Sequence, residues 1–272
     1  MIRRIGKGSY GEVWLGRSVT GAWRAVKVVS RADFERERTF EREFEGIKNF
    51  EALDHSGLVK IKHVGRNEER GFYYYVMELA DDRARGCDID SATYVPRTLS
   101  SEITQQGRLS MDRCAAWGEK MADALHHMHK KGLTHRDIKP SNVVFCDGLP
   151  KLADIGLVAA SGKRTFVGTE GFSPPEGPGE PVADIFSLGM VLYEMSSGNN
   201  CENFPEFTPL QGDPTERRKW RLLNNIVCKA CARDAKKRYG NAHEMSQALH
   251  LIGRGLAPPL SLKARFFRVA LF

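Results

Sequence analysis

The hydrophobic pattern of this chain changes its period several times, and the changes divide it. Over residues 1–29 apolar and polar positions alternate and are broken by glycines, as in IGKGSYGEVWLGR and WRAVKVV. Alternation rich in β-branched residues predicts antiparallel strands. Over residues 33–53 the spacing becomes helical, with Phe40, Phe44, Ile47 and Phe50 in one apolar stripe among many charges. Asp33 is placed as the N-cap or first-turn acid of that helix. Strands are expected again near 58–65 and 71–79. The first 79 residues therefore read as a small sheet with one helix.

The chain then turns irregular and polar over 81–96, DDRARGCDIDSATYVP. Helices are predicted near 98–106 and 111–131, the second capped by Ser110 and ended by Gly132. Short strands near 143–146 and 150–153 flank Gly148. The apolar run 181–197, with Pro181 near its start, reads as a buried helix. Further helices are expected near 216–232 and 241–252.

Candidate chemistry begins with Gly6-Lys7-Gly8-Ser9-Tyr10-Gly11-Glu12-Val13. A similar glycine spacing marks dinucleotide-binding folds, but there a helix follows, whereas here a strand does. A glycine hairpin lets backbone amides approach phosphate oxygens with no Cβ in the way. Taken alone, an ordinary hairpin turn is its lesser alternative. Lys27 ends the run Ala25-Val26-Lys27. Alone it reads as a surface lysine; pointing inward, its charge needs a partner, which the glutamates of the next helix offer. Four motifs then follow in order: His135-Arg136-Asp137-Ile138-Lys139-Pro140-Ser141-Asn142, Asp154-Ile155-Gly156, Gly168-Thr169-Glu170-Gly171-Phe172-Ser173-Pro174-Pro175-Glu176, and Asp184-Ile185-Phe186-Ser187-Leu188-Gly189.

With these motifs at these spacings, residues 2–252 resemble the eukaryotic-like protein kinase family, in its bacterial serine/threonine type. The resemblance implies an α+β bilobal protein kinase fold. Residues 1–79 would be a small N-lobe of antiparallel sheet plus one helix, 80–252 a larger, mainly helical C-lobe, and 253–272 a tail or linker. It implies transfer of the γ-phosphoryl of ATP, with magnesium or manganese, to serine or threonine hydroxyls of protein substrates.

The same resemblance implies roles position by position. Gly6, Lys7, Gly8 and Gly11 lie in the loop over the triphosphate. Lys27 contacts the α- and β-phosphates and pairs with a glutamate of the first helix. Glu43, followed by Ile47 on the core face, fits that glutamate best, ahead of Glu45 and Glu41. Asp137 positions the substrate hydroxyl and takes its proton, Lys139 neutralises the transferring phosphoryl, and Asn142 and Asp154 hold the metal. Val13, Ala25 and Val144 sandwich the purine. Met77 stands beside it, and the backbones of Glu78 and Ala80 bond its edge. Glu176 pairs with Arg238, and Asp184 orders the backbone of the catalytic loop. Lys139 and Thr169 point to serine/threonine specificity. Arg136 before Asp137 suggests control by phosphorylation of Thr165. Ile155 and Pro174 depart from the family's usual phenylalanine and alanine without removing a chemical group.

Composition adds limits. The net charge is +7 with no block of like charges, which favours anionic partners without choosing among them. No nucleic-acid recognition signature is evident. Six cysteines in 272 residues do not suggest a disulfide framework, so a reducing, cytoplasmic setting is expected. Cys228 and Cys231 are expected to pack in the core from one helix face. No apolar run is long enough to span a bilayer, and the start lacks a signal peptide. The basic-apolar tail reads as a linker, a docking segment, or the start of an anchor in a longer parent. Asp81, Asp82, Asp88 and Asp90 read as a solvated loop or as a lure for basic substrates at the cleft mouth. Two rivals stand beside the kinase reading. One is a nucleotide-binding pseudokinase, disfavoured by the presence of Lys27, Asp137, Asn142 and Asp154. The other is a small-molecule phosphotransferase of related fold.

Overall fold

The computed structural model describes residues 1–8, 11–34, 37–154, 159–160, 170–210 and 213–256. The alternating N-terminal runs form a five-stranded antiparallel sheet. Its strands are β1 (Arg3–Lys7), β2 (Glu12–Arg17), β3 (Trp23–Ser30), β4 (Ile61–Asn67) and β5 (Phe72–Glu78), in the order β1-β2-β3-β5-β4. Period 2 puts Ala25, Lys27 and Val29 of β3 on one buried face, opposite Met77, Tyr75 and Tyr73 of β5. Helix α1 (Glu37–Glu51) covers that face with the predicted stripe, and Phe40, Ile47 and Phe50 are fully buried.

Helix α1 starts later than its spacing suggested, and Asp33 does not cap it. Asp33 closes a separate 3-10 turn, in which its carboxylate accepts the Ser30 amide at 3.1 Å and the Ser30 hydroxyl accepts the Ala32 amide at 3.3 Å. Phe34 is extended after this turn. Strand β4 also starts late, because Leu58 and Val59 go elsewhere. Val59 donates to the Leu152 carbonyl at 3.0 Å, and the Leu152 amide donates to Gly57 at 2.9 Å. These bonds tie the helix-to-sheet connection to the second half of the chain.

That half is mainly helical: α2 (Leu99–Gln106), α3 (Met111–Lys130), α4 (Pro181–Ser197), α5 (Pro214–Ala230) and α6 (Ala242–Gly253). Short strands β6 (Leu133–Thr134), β7 (Val143–Cys146), β8 (Leu149–Leu152) and β9 (Ala159–Ala160) make two small ladders, β6 with β9 and β7 with β8. Side-chain oxygens cap α3 at the predicted Ser110 and also α2 and α5, where no cap was predicted. Thr98 accepts the Ser101 amide at 3.1 Å, and Asp213 accepts that of Glu216 at 2.9 Å, which starts α5 two residues early. Gly132 ends α3 at φ 71°, a conformation that glycine adopts without a Cβ clash. Helix α4 is buried almost all round, so its apolar run needs no amphipathic period.

The predicted Glu176–Arg238 pair forms. The Arg238 guanidinium, buried in the large half, bonds both Glu176 oxygens, one at 2.9 Å, and also the Val182 and Ala232 carbonyls. Two expectations need correction. Cys231 is buried as expected, but Cys228, three residues earlier, is exposed, so the two thiols are not both in the core. Asp81 and Asp82 are neither solvated nor free for substrate, being 5% exposed and engaged by backbone amides.

Gly189 of α4 marks the closest helix approach. A Cβ there would lie 2.6 Å from Cys231 Sγ and 2.8 Å from Ala230 Cβ. Gly189→Ala should therefore destabilise the fold by about 1–3 kcal/mol through overpacking, read as a lower urea midpoint. An unchanged or raised midpoint would contradict the close contact of α4 and α5.

Candidate active site

The two halves meet where Val59 bonds Leu152, Glu78 bonds Lys151 and Lys27 bonds Asp154. Gly6 and Lys7 end β1, Gly8 donates to the Gly11 carbonyl at 3.1 Å, and Gly11 enters β2 at φ 79°. A Cβ on Gly11 would meet the Val28 carbonyl at 2.1 Å, so the hairpin requires glycine there. Val13 lies opposite Gly6 on one side and Lys27 on the other. Ala25 is buried between Leu15 and Met77, and the half-buried Val144 comes from β7. Glu78 uses its side chain elsewhere, accepting from Lys151 at 2.8 Å and from the Lys60 amide at 2.7 Å. The buried Ala80 follows the strand, and its carbonyl accepts the Tyr94 hydroxyl at 3.1 Å.

Asp184 supports the segment 135–142 from below. Its buried carboxylate accepts the amides of His135 at 2.8 Å and Arg136 at 2.9 Å and meets His129 Nε2 at 2.9 Å. Burial pushes this carboxyl up, but His129, His135 and the backbone donors outweigh it and hold it below the usual range. The bonds fix Arg136 at φ 70°, a cost that a well-held turn can bear. Asp137 then points into the cleft. Its Oδ2 is 2.9 Å from Lys139 Nζ and accepts from Asn142 Nδ2 at 2.8 Å. The same amide nitrogen also donates to the Asp137 carbonyl at 2.8 Å, so Asn142 Oδ1 is left as an oxygen donor. His135 Nε2 lies 3.1 Å from the Ala153 carbonyl, next to Asp154.

Lys27 is 3% exposed, and its ammonium bonds the Asp154 carboxylate. Burial pushes Asp154 up, but Lys27, with His135 and Lys139, brings it below its ordinary value. Of the three glutamates weighed for Lys27, Glu41 bonds Arg66 and Glu45 is exposed and bonds Lys48. Of the three, Glu43 alone is buried near Lys27, but no bond between them closes the expected ion pair; the ammonium bonds Asp154 instead. Burial, only partly offset by Lys27, pushes the Glu43 carboxyl up to about 8. Its Oε2 and the hydroxyls of Tyr73 and Tyr75 are buried without a hydrogen-bond partner. A neutral Glu43 suits such surroundings, since an unpaired buried charge would cost far more. The tyrosines were not foreseen, although period 2 in Phe72-Tyr73-Tyr74-Tyr75 places them on the Lys27 face.

The Lys27–Asp154 pair and the Asp137–Lys139–Asn142 cluster are thus brought together, the Ala153 amide donating to the Asn142 carbonyl at 2.8 Å, and Gly6 on β1 lies in the same sheet as Lys27, two strands away. Ile155, Thr165 and Thr169 lie outside the described residues. Residues 1–251 match the family model described as protein kinase domain. The chain belongs to the protein kinase domain family. It is 27% identical to serine/threonine-protein kinase PrkC of Bacillus subtilis over 90% of this chain and 39% of that protein. It is 30% identical to serine/threonine-protein kinase cds1 of Schizosaccharomyces pombe over 72% of this chain and 44% of that one. The chain thus spans about two fifths of these relatives' length. The kinase domain of M. tuberculosis PknI shares the fold with a TM-score of 0.66 and 22% identity, over 93% of this chain and 94% of that one. Protein kinases use ATP and a divalent metal. Among the described residues, no helix is long and apolar enough to cross a membrane.

The raised Glu43 carboxyl has a consequence for stability. Between its ordinary value of 4.5 and about 8, the native chain holds a proton that the unfolded chain has lost, so stability falls as pH rises through that window. Glu43→Gln keeps the neutral shape and removes the loss. Relative to wild type it should gain more than about 1.4 kcal/mol, the worth of one pKa unit, between the lower and upper ends of the window. Parallel stability–pH curves for the two proteins would show that Glu43 ionises normally.

Proposed function

We propose that this domain is a serine/threonine protein kinase that moves the γ-phosphoryl of Mg·ATP to hydroxyls of protein substrates. The observation that carries the reading is the junction of Asp137, Lys139 and Asn142, held by Asp184 and directed at the same cleft as Lys27 and Asp154. Residues 1–79 act as the N-lobe and 80–252 as the C-lobe, with the nucleotide between them.

The residues fit the metal and nucleotide by the chemistry of their donors. Asn142 Oδ1 and the Asp154 carboxylate are hard oxygen ligands of the kind magnesium prefers. When bound, the metal supplies charge neutralisation on phosphate oxygens. Gly6, Gly8 and Gly11 offer backbone donors to phosphate, and Lys27 opposes its charge. Val13, Ala25, Met77 and Val144 enclose the base, which the backbone of Glu78 and Ala80 fixes. Asp137 orients the attacking hydroxyl and accepts its proton, and Lys139, 2.9 Å away, stabilises the transferring group and holds that carboxylate in place. Lys27 bonds Asp154, with Glu43 buried nearby; were Asp154 to ligate a metal, Glu43 would be the carboxylate left to balance the Lys27 charge. Free cysteines throughout support a reducing, cytoplasmic setting.

Asp137→Asn keeps the shape and removes the base. It should lower phosphoryl transfer to a mixed basic-protein substrate by about 10²- to 10⁴-fold while calorimetric Mg·ATP binding persists. Phosphoserine and phosphothreonine made by wild type and absent from the variant support the reading. Wild type that binds Mg·ATP and transfers nothing points instead to a pseudokinase.

A further inference from the structure

The acidic segment between β5 and α2 is a built structure with one attachment to each half of the molecule. Its start is fixed to the β7–β8 turn. The Asp81 carboxylate accepts the amides of Asp147 at 2.9 Å and Gly148 at 2.8 Å. The Asp81 amide donates to the Phe145 carbonyl at 2.7 Å, and its carbonyl accepts from Arg97 at 2.8 Å. Asp82 folds the loop on itself, accepting the amides of Ala84 and Arg85, each at 2.9 Å, and that of Val95 at 2.8 Å. Asp90 shapes the far side, accepting the Ala92 amide and the Thr93 hydroxyl, each at 3.0 Å, while its carbonyl accepts the Tyr94 amide at 2.8 Å. Tyr94 is 1% exposed, and its hydroxyl donates to Ala80.

These turns aim two main-chain carbonyls at one guanidinium. Arg3 Nε donates to the Ser91 carbonyl at 2.7 Å, and Arg3 Nη2 donates to the Tyr94 carbonyl. Arg3 opens β1, the strand that runs directly into Gly6 and Gly8. Its charged, two-pronged donor suits two fixed acceptors better than a single ammonium would. The loop therefore belongs to the second half through Asp81 and grips the first half through Arg3, across the edge of the cleft.

We propose that residues 81–96 form an interlobe clasp with Arg3 as its latch, a positioning residue that holds β1 and its glycines over the nucleotide and slows nucleotide release. This rests on the nucleotide lying between those glycines and Val144, as in the kinase reading. Opening the cleft by moving β1 away from β7 must break both Arg3 bonds, whereas the phosphoryl-transfer groups on 137–154 are untouched by them.

The test is ADP release from the whole chain, followed by stopped flow with a fluorescent ADP analogue and Mg²⁺, for wild type, Arg3→Ala and Arg3→Lys. Loss of the latch should speed release by about three- to tenfold in Arg3→Ala, with a smaller effect in Arg3→Lys. KM for ATP should rise by more than kcat changes. Hydrogen exchange adds a second readout: the Tyr94 and Val95 amides should exchange faster in Arg3→Ala, with the amides of α3 and α4 unaffected. Equal release rates in all three proteins overturn the latch, even where the kinase reading stands. Faster release with uniformly faster exchange across α3 and α4 also overturns it, as a general loss of stability. A wild type that binds no nucleotide removes the kinase reading and the latch together.

Discussion

A buried ammonium must find a carboxylate, and much of this molecule is arranged around that need at Lys27. Strand alternation turns Lys27 inward between Ala25 and Val29, onto the face that α1 covers. No apolar neighbour can satisfy it there. Its counter-ion comes from across the cleft, where the carboxylate of Asp154 reaches it from the chain after β8. A strand and a distant loop are thereby linked through one charge. The buried Glu43 lies near that charge without bonding it, and burial, only partly offset by Lys27, pushes its carboxyl up.

The second anchor is Asp184, a carboxylate in the core serving two consecutive amides of the segment that carries Asp137. It converts the rigidity of α4 into a fixed backbone for a loop with an unfavourable dihedral at Arg136. A buried acid in this role is stable because donors surround it, and its carboxyl is held down against the effect of burial. The cleft is thus stiff on the side of Asp137 and adjustable on the side of Lys27.

Most of the fold was legible in the chain because its elements obey local rules. The periods of β3, β5 and α1, the cap at Ser110 and the glycine after α3 appear where the sequence places them. The Glu176–Arg238 and Asp184 contacts were legible through resemblance, since nothing local brings residues so far apart together. What could not be read was how long-range competition resolves. Asp33 looked like a helix cap, but the Ser30 amide takes its carboxylate first. Cys228 and Cys231 have helical spacing, but α5 ends between them, so only Cys231 turns inward. Asp81 and Asp82 looked solvated because charge density resembles exposure, and only the backbone donors gathered around them reveal otherwise. Glu43 was expected to pair with Lys27 and is buried near it, but the ammonium bonds Asp154, a choice between two carboxylates that a sequence does not express.

The attachment of Asp81 also fixes the kinematics of the cleft. Its side chain and both of its backbone polar groups bond to the β7–β8 hairpin and to Arg97, just before α2, so this residue is anchored to the large half. Glu78 is likewise held by Lys151 of β8 and by the Lys60 amide beside β4. Leu79 and Ala80 are the short covalent crossing between these anchors, and the halves are tied again where Gly57 and Val59 bond Leu152 and where Arg3 bonds the 81–96 loop. Any opening of the cleft therefore has to work against three separate ties, spread along its edge, rather than turn freely about one connection.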